Sequence, residues 1–138
     1  MRMFIRHPSN APIQITAHGS DERLDRRLSD LSIGGLCYRS SEFVEPDTLV
    51  TVRIALVRPP FEANARTVWC MQRDPEFDVG LAFLDATESY RLRMVEQICY
   101  IEHYRNEVRQ QQGRILDSEQ AAAEWISKYA ADFPKLSC

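Results

Sequence analysis

Apolar and polar residues alternate along most of the first 84 positions. The alternation is clearest in Leu49–Leu56, a run rich in β-branched residues. Shorter alternating runs occur at 12–16, 24–30, 35–39, 61–71 and 77–84. Turn-forming pairs such as Pro46-Asp47 and Pro59-Pro60 separate the runs. A period of two with frequent turn signals is typical of strands. The pattern therefore predicts an antiparallel β-barrel or β-sandwich.

After Leu84 the apolar period lengthens from two residues to about 3.6, the period of a helix. Asp85-Ala86-Thr87-Glu88 has the pattern of a capping box, with Asp85 as the cap and Glu88 three residues later. The helix is predicted to run to about Gln112. Its apolar stripe consists of Met94, Val95, Ile98, Ile101, Tyr104 and Val108. A helix of this length extends beyond the end of a small barrel, so its far half must pack on the terminal segment or on a second copy of the protein.

The last part of the chain predicts a second, shorter helix. Gly113 interrupts the first helix, and Asp117 with Gln120 offers a new cap before Ala121–Tyr129. One face of this helix carries Ala122, Trp125, Ile126, Tyr129 and Phe133. Two interpretations stay open. The face packs on the first helix or the barrel, or it binds a protein partner through its aromatic side chains.

Composition and charge exclude several classes of function. The chain has 138 residues, a net charge of −3 and a pI near 5.6, which argues against a general nucleic-acid-binding protein. No run is long and apolar enough to span a membrane, and Met1–Pro8 is too short and charged for a signal peptide. We therefore expect a cytoplasmic protein.

The chemistry-bearing residue types do not form an active site or a metal site. The four cysteines lack a C-x-x-C pair, and the three histidines are scattered without a partner that would orient them. No phosphate loop or G-x-S-x-G motif is present. The sequence predicts neither catalysis nor a cofactor, and no bound metal.

Two short motifs point instead to ligand binding. The first is D-x-S-x-x-G, formed by Asp30, Ser32 and Gly35 at the end of a predicted strand. A carboxylate accepts hydrogen bonds from the N–H edge of guanine, and glycine permits φ > 0 and close approach of a ligand to the main chain. The second is R-x-x-x-R, formed by Arg2 and Arg6. Arginine binds phosphate through two hydrogen bonds and also stacks on purines.

With R-x-x-x-R preceding D-x-S-x-x-G in the chain, the two motifs resemble those of the PilZ domain, a bacterial family that binds the second messenger cyclic di-GMP (c-di-GMP). The resemblance covers roughly the first hundred residues. It implies a mainly β fold, a six-stranded antiparallel barrel over residues 12–84. A flexible N-terminal arm over 1–11 would precede the barrel and a helix over 86–112 would follow it. Residues 113–138 would be a helical appendage outside the family pattern.

The resemblance implies that Arg2, Arg6, Asp30, Ser32 and Gly35 bind c-di-GMP. Arg39 and Trp69, on strand-like segments taken to be adjacent, are secondary candidates for phosphate contact and base stacking. Trp69 follows Val68 in an apolar run, so a core position is equally consistent with the sequence.

The implied function is that of a receptor and adaptor in signal transduction. Ligand binding would order the arm, and the signal would pass to an unidentified protein partner, for which the C-terminal helices are candidates. The chain itself would be a monomer or a homodimer. One alternative is a constitutive interaction module of the same fold that binds no nucleotide. Another is a barrel that binds single-stranded nucleic acid through arginine and aromatic side chains, which the net acidity disfavours.

Overall fold

Seven strands and two helices make up the computed structural model, which describes residues 7–57 and 59–129. The strands are β1 (His7–Pro8), β2 (Pro12–Ala17), β3 (Leu24–Leu31), β4 (Gly35–Ser40), β5 (Leu49–Ile54), β6 (Phe61–Arg73) and β7 (Glu76–Phe83). The helices are α1 (Glu88–Gln112) and α2 (Ser118–Tyr129). The predicted strands are therefore all present, and β1 is added in front of them.

Six of the strands close into an antiparallel barrel. Their order is β3-β2-β5-β6-β7-β4, and the pairing of β4 with β3 completes the ring. Strand β1 lies outside the ring and pairs only with β3, with His7 opposite Leu31 and Pro8 opposite Asp30. The expected six-stranded antiparallel barrel is therefore confirmed. Closure of the ring removes the exposed edges that an open sheet would leave.

The barrel interior follows from the alternation seen in the sequence. Every second residue of a strand faces the same side, so the apolar residues of each run converge on one core. Among the fully buried ones are Ile13, Leu31, Leu36, Val52, Ile54, Phe61 and Val79. The same core continues into α1, where all six residues of the predicted stripe are buried. The ring of Tyr90 packs on Phe61, 5.3 Å between centroids, and this contact joins the start of α1 to the barrel.

The N-cap of the first helix lies two residues later than predicted. Thr87 is the N-cap residue, and its side chain accepts a hydrogen bond from the backbone N–H of Tyr90. The expectation that Asp85 caps the helix is wrong. Its carboxylate instead accepts hydrogen bonds from the backbone N–H and the side-chain amide of Asn64, which ties the helix approach to β6. The predicted end is confirmed, because Gly113 is the C-cap with φ of 68°.

The far half of α1 packs against α2. The predicted cap of α2 is confirmed, since Asp117 accepts from the backbone N–H of Gln120 and Gln120 accepts from that of Asp117. Trp125 is buried and its ring stacks on Tyr100 of α1. Of the two interpretations of this helix face, packing within the chain is the one observed, although Phe133 lies outside the described residues. Neither α1 nor α2 is apolar enough to cross a membrane.

Candidate functional site

The D-x-S-x-x-G motif forms the tight connection between β3 and β4. Ser32 leaves the strand at its end and is fully buried. Its backbone N–H and its hydroxyl both donate to the carbonyl of Gly35, at 2.8 and 3.3 Å. Asp30 and Ser32 do not share a face, although they are two residues apart, because the chain is no longer extended at Ser32. The hydroxyl holds the turn closed.

Gly35 is required by a neighbouring strand. Its φ lies outside the left-handed region, and the described glycines with positive φ are Gly19 and Gly113. A Cβ atom at position 35 would overlap the backbone carbonyl of Leu81 in β7. The expected close approach to the main chain is real, but β7 makes it. Gly35 thus sets the distance between the turn and the sheet.

Asp30 belongs to a row of residues that crosses four strands. Asp30 of β3 lies opposite Cys37 of β4, Cys37 opposite Gly80 of β7, and Gly80 opposite Trp69 of β6. Directly opposite residues point to the same face of a sheet. The residues next to them, such as Leu36, Leu81 and Val79, are in the core. The row Asp30–Cys37–Gly80–Trp69 therefore lies on the outer face of the barrel, and we call it the ligand row.

Trp69 is half-buried on this outer face, so a core position is excluded. A β-bulge between Thr67 and Trp69 shifts the strand by one residue, and this shift turns the indole outward. The ring lies directly over Gly80, where an added Cβ would overlap the indole atoms. Trp69 and Arg39 are not on adjacent strands, because β7 lies between β4 and β6.

A second row next to the ligand row carries charge. Arg27 lies opposite Arg39, Arg39 opposite Asp78, and Asp78 opposite Met71. The carboxylate of Asp78 is 10% exposed and accepts from the Nε atoms of Arg39 and Arg73, at 2.9 and 2.8 Å. Glu76 adds a longer contact with Arg39, at 3.5 Å. We call Arg27, Arg39 and Asp78 the charged row.

Sequence reasoning missed Gly80, Asp78, Arg73 and Arg27. An isolated glycine inside a strand run such as Phe77–Phe83 is a signal that another group lies close to the backbone. The partner of that glycine is set by strand order and register, which no local pattern shows. Arg2 and Arg6, the other predicted ligand residues, lie outside the described residues.

The described residues offer no other chemical centre in this region. No group of three or more His, Cys, Asp or Glu side chains within 7–57 and 59–129 is arranged to hold a metal ion. What the outer face offers is a carboxylate, an aromatic ring and fixed guanidinium groups. This set can bind a base edge, a base face and an anion.

Comparison with known proteins agrees with this fold. The sequence model of the PilZ domain family matches residues 2–100. Among curated protein sequences, none matches this chain.

Solved structures with the same fold share little sequence with the chain. The PilZ domain with c-di-GMP of YcgR from Escherichia coli is 16% identical, with a TM-score of 0.60 over 83% of this chain and 98% of that one. The PilZ domain of CeSA from a cellulose-synthesizing bacterium is 17% identical, with a TM-score of 0.54 over 72% and 99%. The MrkH–c-di-GMP complex of K. pneumonia is 13% identical, with a TM-score of 0.58 over 78% and 54%.

These structural matches show the fold, and the family match covers well over half of the 138 residues. The chain belongs to the PilZ domain family.

Proposed function

We propose that the protein is a receptor for c-di-GMP that binds the nucleotide on the outer face of β3, β4, β7 and β6. The observation that carries the proposal is the ligand row, which places the carboxylate of Asp30 and the indole of Trp69 on one face. Membership of the PilZ family supports it. Structures of two proteins of similar fold, YcgR and MrkH, are complexes with c-di-GMP.

The ligand row is suited to a guanine-bearing ligand. Asp30 can accept from the N1–H and the exocyclic amine of guanine, and an indole can stack on a purine. The two side chains start three strand spacings apart, roughly 14 Å. Between them stand the small residues Cys37 and Gly80, and the indole already covers Gly80. Cys37 is 6% exposed, so Cys37 and Gly80 form the floor of the row between the two side chains.

The phosphates need cations, and the proposal assigns this role to the two arginines of the N-terminal motif. His7 lies opposite Leu31, the residue after Asp30, and Arg6 is the residue before His7 in the chain. In this proposal Arg2 and Arg6 bind phosphate, and Asp30 reads the base edge. Ser32 and Gly35 hold the turn that positions Asp30.

Titration calorimetry with c-di-GMP tests the proposal. We expect Arg6→Ala and Asp30→Asn to weaken binding at least tenfold, because a charge-assisted hydrogen bond contributes about 1.5 to 3 kcal/mol. Glu62→Gln is the matched control. Glu62 is an exposed strand carboxylate that contacts Arg53 of β5, away from the ligand row. Wild-type protein that releases no heat with high micromolar c-di-GMP would refute the proposal.

The described part of the predicted arm lies on the barrel. His7–Pro8 pair with β3, and Ala11 is fully buried. We therefore limit the proposed ligand-dependent ordering to residues 1–6. Hydrogen–deuterium exchange with and without c-di-GMP checks this, with added protection expected in the peptide over 1–6. Unchanged exchange there, in protein that binds the nucleotide, would remove the ordering step and leave the receptor assignment intact.

As an adaptor, the protein would pass the signal to a protein partner. A ligand shifts such an equilibrium only by its differential affinity for the two states. The decisive measurement is partner capture with and without c-di-GMP, repeated with Asp30→Asn. Capture that ignores both the nucleotide and the substitution would favour the alternative, a constitutive interaction module with the same fold.

A further inference from the structure

The arrangement of Arg27 and Arg39 is unusual for two strand residues. They lie directly opposite each other on β3 and β4, and both face outward. Like charges in this position destabilise a sheet. Local rules of this kind are broken mainly at functional sites, where a ligand or a compensating group repays the cost. We therefore expect the Arg27–Arg39 pair to have a compensating group or a ligand.

The two guanidinium groups are held on opposite sides. Arg39 is turned toward β7 by Asp78 and Glu76. Arg27 is turned the other way, where its Nη1 donates to the backbone carbonyl of Asn10 at 3.1 Å. Arg27 has no carboxylate within ion-pair distance among residues 7–57 and 59–129. Within the described residues, its hydrogen bond is with a carbonyl dipole and not with a carboxylate.

A cleft of about 460 Å³ opens at this pair. Its lining includes Asn10 and Glu76, the groups that hold the two arginines apart, together with Ser29 and Ser41. Arg26 and Asp25 also contribute to the wall. With three arginines and two carboxylates, the lining carries a net charge of +1. A cleft between two arginine forks, with hydroxyl groups beside them, has the donors that a phosphate group requires.

The cleft also lies next to the ligand row. Arg39 follows Cys37 by two residues on β4, so the charged row is about 7 Å from the ligand row. In a nucleotide the base edge and the phosphate are separated by the base and the sugar. Two neighbouring rows can therefore bind the two ends of one ligand.

We propose that Arg27 and Arg39 form a phosphate clamp, in which one phosphate group of the dinucleotide binds between the two guanidinium groups. The inference rests on the proposed function, because the phosphate is assigned to the ligand whose base Asp30 reads. It adds Arg27 to the site, a residue outside both sequence motifs.

The test compares Arg27→Gln and Arg27→Lys with wild type by titration calorimetry at two salt concentrations. We expect Arg27→Gln to weaken c-di-GMP binding about tenfold and to reduce its salt dependence, because one exposed charge contact is lost. Arg27→Lys keeps the charge but loses the fork, so its affinity should be intermediate. Arg53→Gln is the control, since Arg53 is an arginine of β5 that pairs with Glu62 of β6. Wild-type affinity in folded Arg27→Gln protein would overturn the clamp.

A second experiment distinguishes failure of the phosphate clamp from failure of the proposed c-di-GMP receptor function. Thermal unfolding is followed with inorganic phosphate alone, in wild type and in Arg27→Gln. If wild type fails to bind c-di-GMP but phosphate stabilises it and not the variant, the clamp holds and the proposed function fails. If c-di-GMP binds but Arg27→Gln matches wild type in both calorimetry and thermal unfolding, the clamp fails and the proposed function holds. Equal behaviour of the two proteins with phosphate, together with no binding of c-di-GMP, refutes both.

Discussion

The two tryptophans stand in contrasting surroundings. Trp125 lies in the contact between α1 and α2, is 6% exposed and stacks on Tyr100 with an interplanar angle of 7°. Trp69 lies on the outside of the barrel, is half-buried and covers a glycine. Both residues occur in stretches rich in apolar residues, so the sequence alone does not distinguish them. The difference arises from what the fold places opposite each ring.

This contrast separates a structural aromatic residue from one available to a ligand. Around Trp125 the polar groups are mutually satisfied. Tyr104 donates to Glu124 at 2.8 Å, Arg114 pairs with the same carboxylate, and Lys128 lies over the Tyr104 ring. Around Trp69 the indole covers the small residue Gly80, and the charged row lies beside it. The first set of contacts stabilises the fold, whereas the second belongs to the site proposed for the ligand.

The largest effect is expected from Trp125→Ala. Removing a buried aromatic side chain costs about 3 to 5 kcal/mol of unfolding free energy. Urea denaturation of wild type and variant measures this loss. The variant protein that remains folded should bind c-di-GMP like wild type, because the helix contact is separate from the ligand row. Weakened binding in that folded fraction would show that the two regions are coupled and would break the comparison.

Next in size is Gly35→Ala, with Gly80→Ala as its counterpart. At position 35 the added methyl meets a backbone carbonyl that cannot move aside, and overpacking of this kind costs about 1 to 3 kcal/mol. At position 80 the obstacle is the indole of Trp69, which can swing away. We expect Gly80→Ala to cost less than Gly35→Ala in urea denaturation but to change the tryptophan fluorescence. The reverse order of stability would contradict the proposed division of roles.

Trp69→Ala sharpens the comparison from the other side. Its cost in unfolding free energy should stay clearly below that of Trp125→Ala, because the ring is half-exposed. Its cost in c-di-GMP binding should be about 1 to 3 kcal/mol, the contribution of stacking between a base and an aromatic ring. Calorimetry and urea denaturation of the same preparation give both numbers. A large loss of stability without a loss of affinity would assign Trp69 to the fold.

The smallest effect concerns pH and the helix contact. The hydrogen bond from Tyr104, with help from Arg114, lowers the pKa of Glu124 below its usual value. A lowered pKa in the folded state stabilises the protein above the usual carboxyl pKa, and this contribution disappears as the pH falls through the folded value. The Tm difference between wild type and Tyr104→Phe should therefore be greatest near neutral pH and shrink on acidification.

Tyr90→Phe is the control for this pH dependence. The Tyr90 hydroxyl donates to the backbone carbonyl of Pro60, at 3.0 Å, and this acceptor does not titrate. Its Tm difference from wild type should be the same at each pH. A Tyr104→Phe difference that is also constant with pH would show that the hydrogen bond to Glu124 does not contribute to stability.

Local patterns were sufficient for most of the fold. Alternation predicted the barrel strands because one buried face requires a period of two. The helix stripe from Met94 to Val108 and the stop at Gly113 were likewise readable from spacing and from glycine chemistry. The cap of α1 was placed at Asp85 instead of Thr87, since two acceptors within three residues compete and the Asn64 side chain, distant in sequence, binds the first of them.

The candidate site also has features that local sequence predicts and features that depend on residues distant in the chain. Local sequence was enough to predict that Asp30 lies near the end of a strand beside a polar turn and that arginine is available near the N-terminus, because both facts depend on neighbours in the chain. Long-range contacts were needed to show that Trp69 and Asp30 share an outer face, that Gly35 accommodates β7, and that Arg27 faces Arg39. Each of these depends on strand order, register and a bulge, and these are properties of closing the barrel that no single segment contains.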